Sequence, residues 1–185
     1  MADKRRVILI NGVSSAGKGS LARALQAITE TPFLHVQMDA FLEMLPAAMF
    51  GDSEGYIFET TVADGKPLTA IHSGPMLVTL MRGMRRAIAA MAGAGADIIV
   101  DDVIWGGDLA DYRAVMAPFD FRAVGLVAPL EVIEERERRR GDRTLGLARW
   151  QFDRVHAGMD YDLVVDNSQA TPEHCAALIK RAFGL

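Results

Sequence analysis

Arg6-Val-Ile-Leu-Ile-Asn11-Gly12-Val-Ser-Ser-Ala-Gly17-Lys18-Gly19-Ser20 is the stretch that decides how this chain folds. The apolar run from Arg6 to Asn11 reads as a strand, and Gly19 to Thr29 reads as the helix that the glycine-rich turn opens into. Strand, loop and helix in that order are the context a phosphate-binding loop needs. Glycines relieve the tight turn, successive backbone N–H groups face the anion, and the start of the helix adds a favourable dipole. The cradle comprises Gly12, Ser14, Ser15, Ala16, Gly17, Lys18, Gly19 and Ser20, with Lys18 expected to reach the outer phosphates of ATP. One position departs from the commonest pattern: Gly19 stands where a hydroxyl residue usually follows the lysine, and the hydroxyl comes next, at Ser20. Ser20 can bind Mg²⁺ directly, contact phosphate or act through water.

Outward from this loop, short β-rich runs alternate with longer Ala-, Leu-, Met- and Arg-rich segments, as in a layered α/β domain with a largely parallel sheet. Five runs read as strands: Arg6 to Asn11, Phe33 to Gln37, Asp97 to Asp101, Phe121 to Ala128 and Asp162 to Asp166. Pro75 to Met91, Pro129 to Arg140 and a segment opening at Thr171-Pro172 read as further helices, with proline in the first turn and glycines such as Gly93 at the end. Residues 42–74 show no clear periodicity and carry Gly51, Gly55, Gly65, Pro46 and Pro67, so an irregular acceptor-side excursion is expected there. The reading is one domain over residues 1–185, with an arginine-containing lid region at 129–158.

Composition narrows the classes. At 185 residues and half apolar, the chain can build one core, and a net charge of −4 offers no general attraction to nucleic acid or an anionic membrane. The single Cys175 has no partner for a disulfide or a thiolate metal site, and reads as a small buried side chain. Met1 to Arg6 is charged like the start of a signal peptide, yet the apolar run Val7 to Ile10 is too short for export, and no run is long enough to span a membrane. A cytoplasmic protein is expected, with a small hydroxyl-bearing partner and an oligomeric state left open.

Three carboxylates and an arginine segment complete the candidate site. Asp101 ends the apolar run Ile98-Ile-Val and suits Mg²⁺, which prefers hard oxygen ligands; its neighbour Asp102 can orient substrate, assist the metal or cap a turn. Asp39 follows the second strand and lies at the ligand end of the sheet, where it can take the acceptor's hydroxyl proton or simply cap a helix. His35, nearer the strand centre, reads as a satisfied sheet residue. Phe41, Met44, Leu45 and Met49 fit either an acceptor pocket or an amphipathic helix. Arg136 and Arg140 share a helical face and Arg143 returns after Gly141, so the three can meet developing phosphoryl charge, whereas Glu134 to Arg138 and Glu135 to Arg139 read as exposed i,i+4 pairs.

The Gly-Lys-Gly-Ser form of the loop resembles adenylate kinase and related nucleotide kinases. Across nearly its whole length the chain also resembles the chloramphenicol phosphotransferase family of P-loop kinases, through Ile10-Asn-Gly-Val-Ser-Ser-Ala-Gly-Lys18, Val36-Gln-Met-Asp39, Ile98-Ile-Val-Asp-Asp-Val103 with Gly106-Gly107, Arg140-Gly-Asp-Arg143 and Tyr161-Asp-Leu-Val-Val-Asp166. That resemblance implies a P-loop nucleotide-kinase-like α/β three-layer sandwich with a five-stranded parallel sheet in the order 2-3-1-4-5. It implies ATP as phosphoryl donor, Asp39 as the proposed base and Arg136, Arg140 and Arg143 as lid arginines. Two stretches depart from the family pattern: residues 44–74, and Gly19-Ser20 in place of a serine directly after the lysine. The implied function is ATP-dependent phosphorylation of a small-molecule hydroxyl, on chloramphenicol or a related compound. A nucleoside or sugar kinase and a non-catalytic nucleotide-dependent regulator are the alternatives.

Overall fold

Strand β1, Arg6–Asn11, shows how the layers arise, because its side chains alternate between two apolar environments. Val7 and Leu9 enter one core with Met84, Ile88 and Tyr112, while Ile8 and Ile10 enter the other with Leu21, Leu25 and Ile179. Burial on both faces requires a helical layer on each side. The structure, a computed structural model, describes residues 4–141 and 143–185. Asp142 of the Arg140 to Arg143 motif and the first three residues of the charged start lie outside the described residues.

The described residues form seven strands and seven α-helices. After β1 come α1 (Lys18–Ile28), β2 (Phe33–Gln37), α2 (Met38–Leu42), β3 (Tyr56–Ala63), β4 (Lys66–Ser73) and α3 (Pro75–Gly93). The second half adds β5 (Asp97–Asp102), α4 (Asp108–Val115), β6 (Asp120–Val127), α5 (Leu130–Arg140), α6 (Leu147–Val155), β7 (Leu163–Asp166) and α7 (Pro172–Phe183). The main sheet runs β2-β5-β1-β6-β7, all parallel, which is the expected 2-3-1-4-5 order once the five sheet strands are counted alone. Register brings the ligand end together: Ile10 and Gln37 are both level with Asp101, and Asn11 with Asp102.

The segment expected to be irregular instead contains an antiparallel hairpin, β3 with β4. Asp64-Gly65 makes its two-residue turn, both at positive φ (50° and 72°), the combination a tight hairpin turn demands. Most of its side chains meet solvent, so the one-sided alternation that marks a packed strand is missing. Leu45, Tyr56 and Leu77 form a small apolar cluster beneath it. Helices α4 and α6 were also unanticipated; both are short. Among the described residues no helix is long and apolar enough to cross a membrane.

Candidate active site

The loop between β1 and α1 takes its shape from two glycines. A Cβ on Gly12 would stand 2.8 Å from the Leu126 carbonyl, and Gly17 turns the chain into α1 at φ 96°. Side chains from distant elements then brace the loop. Asn167 Nδ2 donates to the Ala16 carbonyl at 2.7 Å, and the Ser14 amide donates to Gln151 Oε1 of α6 at 2.7 Å. Buried Asn11 donates to the carbonyls of Ile104 and Val155 and accepts from the Ile104 amide at 2.9 Å, tying the strand ends to α6. Ser15 sits at positive φ (61°) with its hydroxyl buried and without a hydrogen-bond partner. A phosphate oxygen would satisfy that hydroxyl, and the first turn of α1 carries no acidic side chain to repel it.

A cleft of about 700 Å³ opens over this loop. Its lining includes Ser14, Ser15, Gly17, Lys18, Gly19 and Ser20 from the loop, then Asp39, Asp101, Arg140 and Arg143 from four other parts of the chain. Lys18 Nζ folds back on the loop, donating to the carbonyls of Gly12 (2.8 Å) and Val13 (3.1 Å). Burial lowers its pKa to about 8, with the carboxylates of Asp101 and Asp39 pulling the other way. Asp39 lies in the first turn of α2, two residues past the cap at Gln37, rather than at a strand end or a cap. Its Oδ2 accepts from Arg143 Nη2 at 2.5 Å.

Arg136 does not line this cleft. Its guanidinium donates to Asn167 (2.8 and 3.1 Å) and to the Ala16 carbonyl (3.3 Å), behind the loop. Asp102 is buried, accepting from the Val103 amide and from Tyr112 Oη, both at 2.7 Å, and burial raises its pKa. Glu135 pairs with both Arg138 and Arg139, whereas Glu134 turns to Lys66 of the hairpin (2.9 Å) and to Arg149. The expected Glu134 to Arg138 pair is therefore replaced by a tertiary one. Cys175 is buried and unpaired.

A second cavity of about 550 Å³ shares Met38, Leu42, Ile71, Val103 and Gln151 with the first. Its walls are apolar at Leu77, Met81 and Trp105, and ionic at Arg82, Arg85, Asp108 and Asp111. Arg85 is clamped by Asp108 and Asp111, each at 2.6 Å. Of the four apolar candidates for an acceptor wall, Phe41 packs into the core, Leu45 and Met49 lie under the hairpin, and Met44 is exposed; none lines either cavity. Met38 and Leu42, which flank Asp39 on α2, take that place. Sequence reasoning also missed Gln151, Asn167 and Arg85, whose importance rests on long-range packing and has no local pattern.

Residues 5–184 match the family described as chloramphenicol phosphotransferase-like protein. The chain belongs to that family. Two candidate O-phosphotransferases, from Mycobacterium tuberculosis strains CDC 1551 and H37Rv, are each 37% identical over 175 residues, spanning 91% of this chain and 77% of theirs. Among solved structures, an unliganded sugar kinase from Janibacter sp. HTCC2649 has a TM-score of 0.68 at 20% identity, covering 97% of this chain and 95% of its own. An APS kinase from Mycobacterium tuberculosis bound to AMPPNP and APS has a TM-score of 0.63 at 16% identity, over 99% of both chains. A gluconokinase from Sinorhizobium meliloti 1021 reaches 0.59 at 16% identity, over 98% of this chain and 91% of its own. At such identities the structural likeness speaks for the fold. Family membership makes this chloramphenicol phosphotransferase-like chain a nucleotide-dependent small-molecule phosphotransferase.

Proposed function

We propose that the protein moves the terminal phosphoryl group of ATP onto a hydroxyl of a sugar or nucleoside seated in the second cavity. The observation that carries this reading is the convergence of the phosphate loop, Asp39, Asp101 and Arg143 on one cleft that adjoins a second cavity through Met38 and Leu42. Lys18 and the loop amides take the phosphates, with Lys18 leaving the Gly12 and Val13 carbonyls to do so. The acceptor oxygen attacks phosphorus, its proton passes to an Asp39 oxygen, and the bond from phosphorus to the bridging oxygen breaks to release ADP. Arg140 and Arg143 face developing negative charge, and Arg143 also holds the Asp39 carboxylate in place. Asp101 is the carboxylate suited to Mg²⁺, with Ser20 as a further oxygen; these two residues would hold the metal, which would supply positive charge to the transferring phosphate. Arg136 braces the loop instead of touching the transferring group.

The cavity walls support this acceptor class. Hydroxyl groups both donate and accept, so a polyol matches a wall that offers guanidinium beside carboxylate, while the Met, Leu and Trp surface takes a ring face. The sugar kinase and gluconokinase likenesses are in keeping with this class.

The test is a panel of sugars, nucleosides and chloramphenicol offered with ATP, with phosphorylated products detected by mass. A phosphorylated sugar or nucleoside is expected. Product from chloramphenicol alone would overturn the acceptor class. Tight ATP binding with no product from any acceptor would favour a nucleotide-dependent regulator.

A further inference from the structure

Asp101 is held from the side. Its Oδ2 lies 2.8 Å from His35 Nε2, across the β2–β5 boundary, where His35 is level with Ile99 and Gln37 with Asp101. An ionised carboxylate only accepts, so Nε2 carries the hydrogen at this contact. The ring's other nitrogen faces Gln37 Nε2 at 3.4 Å. His35 is 10% exposed and Asp101 14%, so the contact is shielded from the solvent that makes surface pairs weak.

The neighbouring departure in the loop explains why the carboxylate can rest there. A Cβ at position 19 would lie 3.2 Å from Asp101 Oδ2, tighter than an ordinary contact. Serine, the usual residue after the lysine of such loops, would crowd the carboxylate, and glycine leaves the space to it. Gly19 and His35, unrelated as sequence signals, thus act on one oxygen atom.

We propose that His35 is a positioning residue that holds the Asp101 carboxylate against the first turn of α1, where Asp101 takes over the metal-facing place of the hydroxyl that Gly19 lacks. The inference rests on the reading of Asp101 as the metal carboxylate. Groups that orient a metal ligand from behind typically change metal affinity about 10–100-fold when removed.

The experiment titrates Mn²⁺ into the protein saturated with ADP and follows free Mn²⁺ by electron paramagnetic resonance; ADP affinity without metal is measured by calorimetry. His35→Ala should weaken Mn²⁺ about 10–100-fold and leave metal-free ADP affinity unchanged. His35→Gln keeps an N–H donor and should recover part of the loss. Gly19→Ala, whose methyl group displaces Oδ2, should also weaken Mn²⁺, and combining it with His35→Ala should cost less than the two losses together, because both act through the same carboxylate. Parental Mn²⁺ affinity in His35→Ala, or simple addition in the double variant, overturns the proposal. Asp101→Asn separates the two levels. If it binds Mn²⁺ like the parent, the metal role of Asp101 fails and the inference with it; if it loses Mn²⁺ while His35→Ala does not, only the positioning role fails. Should His35→Ala not fold, His35→Gln and Gly19→Ala decide, since parental affinity in Gly19→Ala contradicts the proposal.

Discussion

The phosphate end and the acceptor end of the cleft are built on different principles. At the phosphate end nine consecutive residues, Gly12 to Ser20, supply the backbone amides, the lysine and the helix start, with Gly12 against the Leu126 carbonyl and Gly17 at positive φ in positions that disfavour any side chain. The acceptor end draws on α2, the hairpin, α3, α4, α6 and the turn after β5, short pieces that lie far apart in sequence. The first is local and can be recognised as a string. The second exists only after packing, which leaves it free to change substrate without disturbing the loop.

The sharpest way to break this division is at Asp39, where the two ends meet. Asp39→Asn should bind ATP nearly as well as the parent but lose transfer by roughly 10²–10⁴-fold, since an amide cannot take the acceptor's proton. Turnover at saturating substrates, paired with ATP affinity by calorimetry, checks this. Unchanged turnover would remove Asp39 as the base, and weakened ATP affinity with normal saturated turnover would move it to the phosphate end.

Lys18→Ala should cost transfer about 10²–10³-fold with little loss of circular dichroism signal, because its ammonium meets phosphate charge and does not fill the core. Its titration gives a second reading. The free protein's Lys18 has a pKa of about 8, and bound phosphate favours the protonated form. Nucleotide affinity should therefore be flat below pH 8 and fall by up to about tenfold per pH unit above it, until the pKa of the bound state is reached. Lys18→Ala should lack this slope. For folding the sign is opposite: the unfolded chain holds more protons between pH 8 and 10.5, so this residue's contribution to stability rises with pH across that window.

The smallest expected effect lies in the scaffold of the acceptor end. Glu137, buried on α5, accepts from the amides of Gly146 (2.8 Å) and Ala148 (2.9 Å) and so caps α6 from a distance. Thr69 of the hairpin docks on the same turn, through its amide to the Gly146 carbonyl (3.1 Å) and its hydroxyl to the Leu145 carbonyl (2.7 Å). Glu137→Ala should destabilise the protein by about 1–3 kcal/mol, read from the denaturant midpoint. It should also raise the KM for the acceptor more than that for ATP. Equal changes in both would mean that the hairpin and α6 serve the two ends alike.

The sheet strands, the phosphate loop, α1, α3, α5 and α7 could be read from residue patterns, because each is a continuous segment with its own periodicity, cap or glycine turn, whereas the order of the strands in the sheet was implied only by the family resemblance. The hairpin was legible in principle through Asp64-Gly65, yet its solvated faces hid the alternation around it. His35 shows the limit most clearly. Its strand context reads it as a satisfied sheet residue, but nothing in that strand says that Asp101 of β5 lies 2.8 Å away, or that the missing side chain of Gly19 makes room for the contact. Local conformation depends on neighbours within a few residues and is written in short stretches of sequence. Which side chains from separate strands share one carboxylate depends on register and helix packing across the whole chain, and only the tertiary structure decides that.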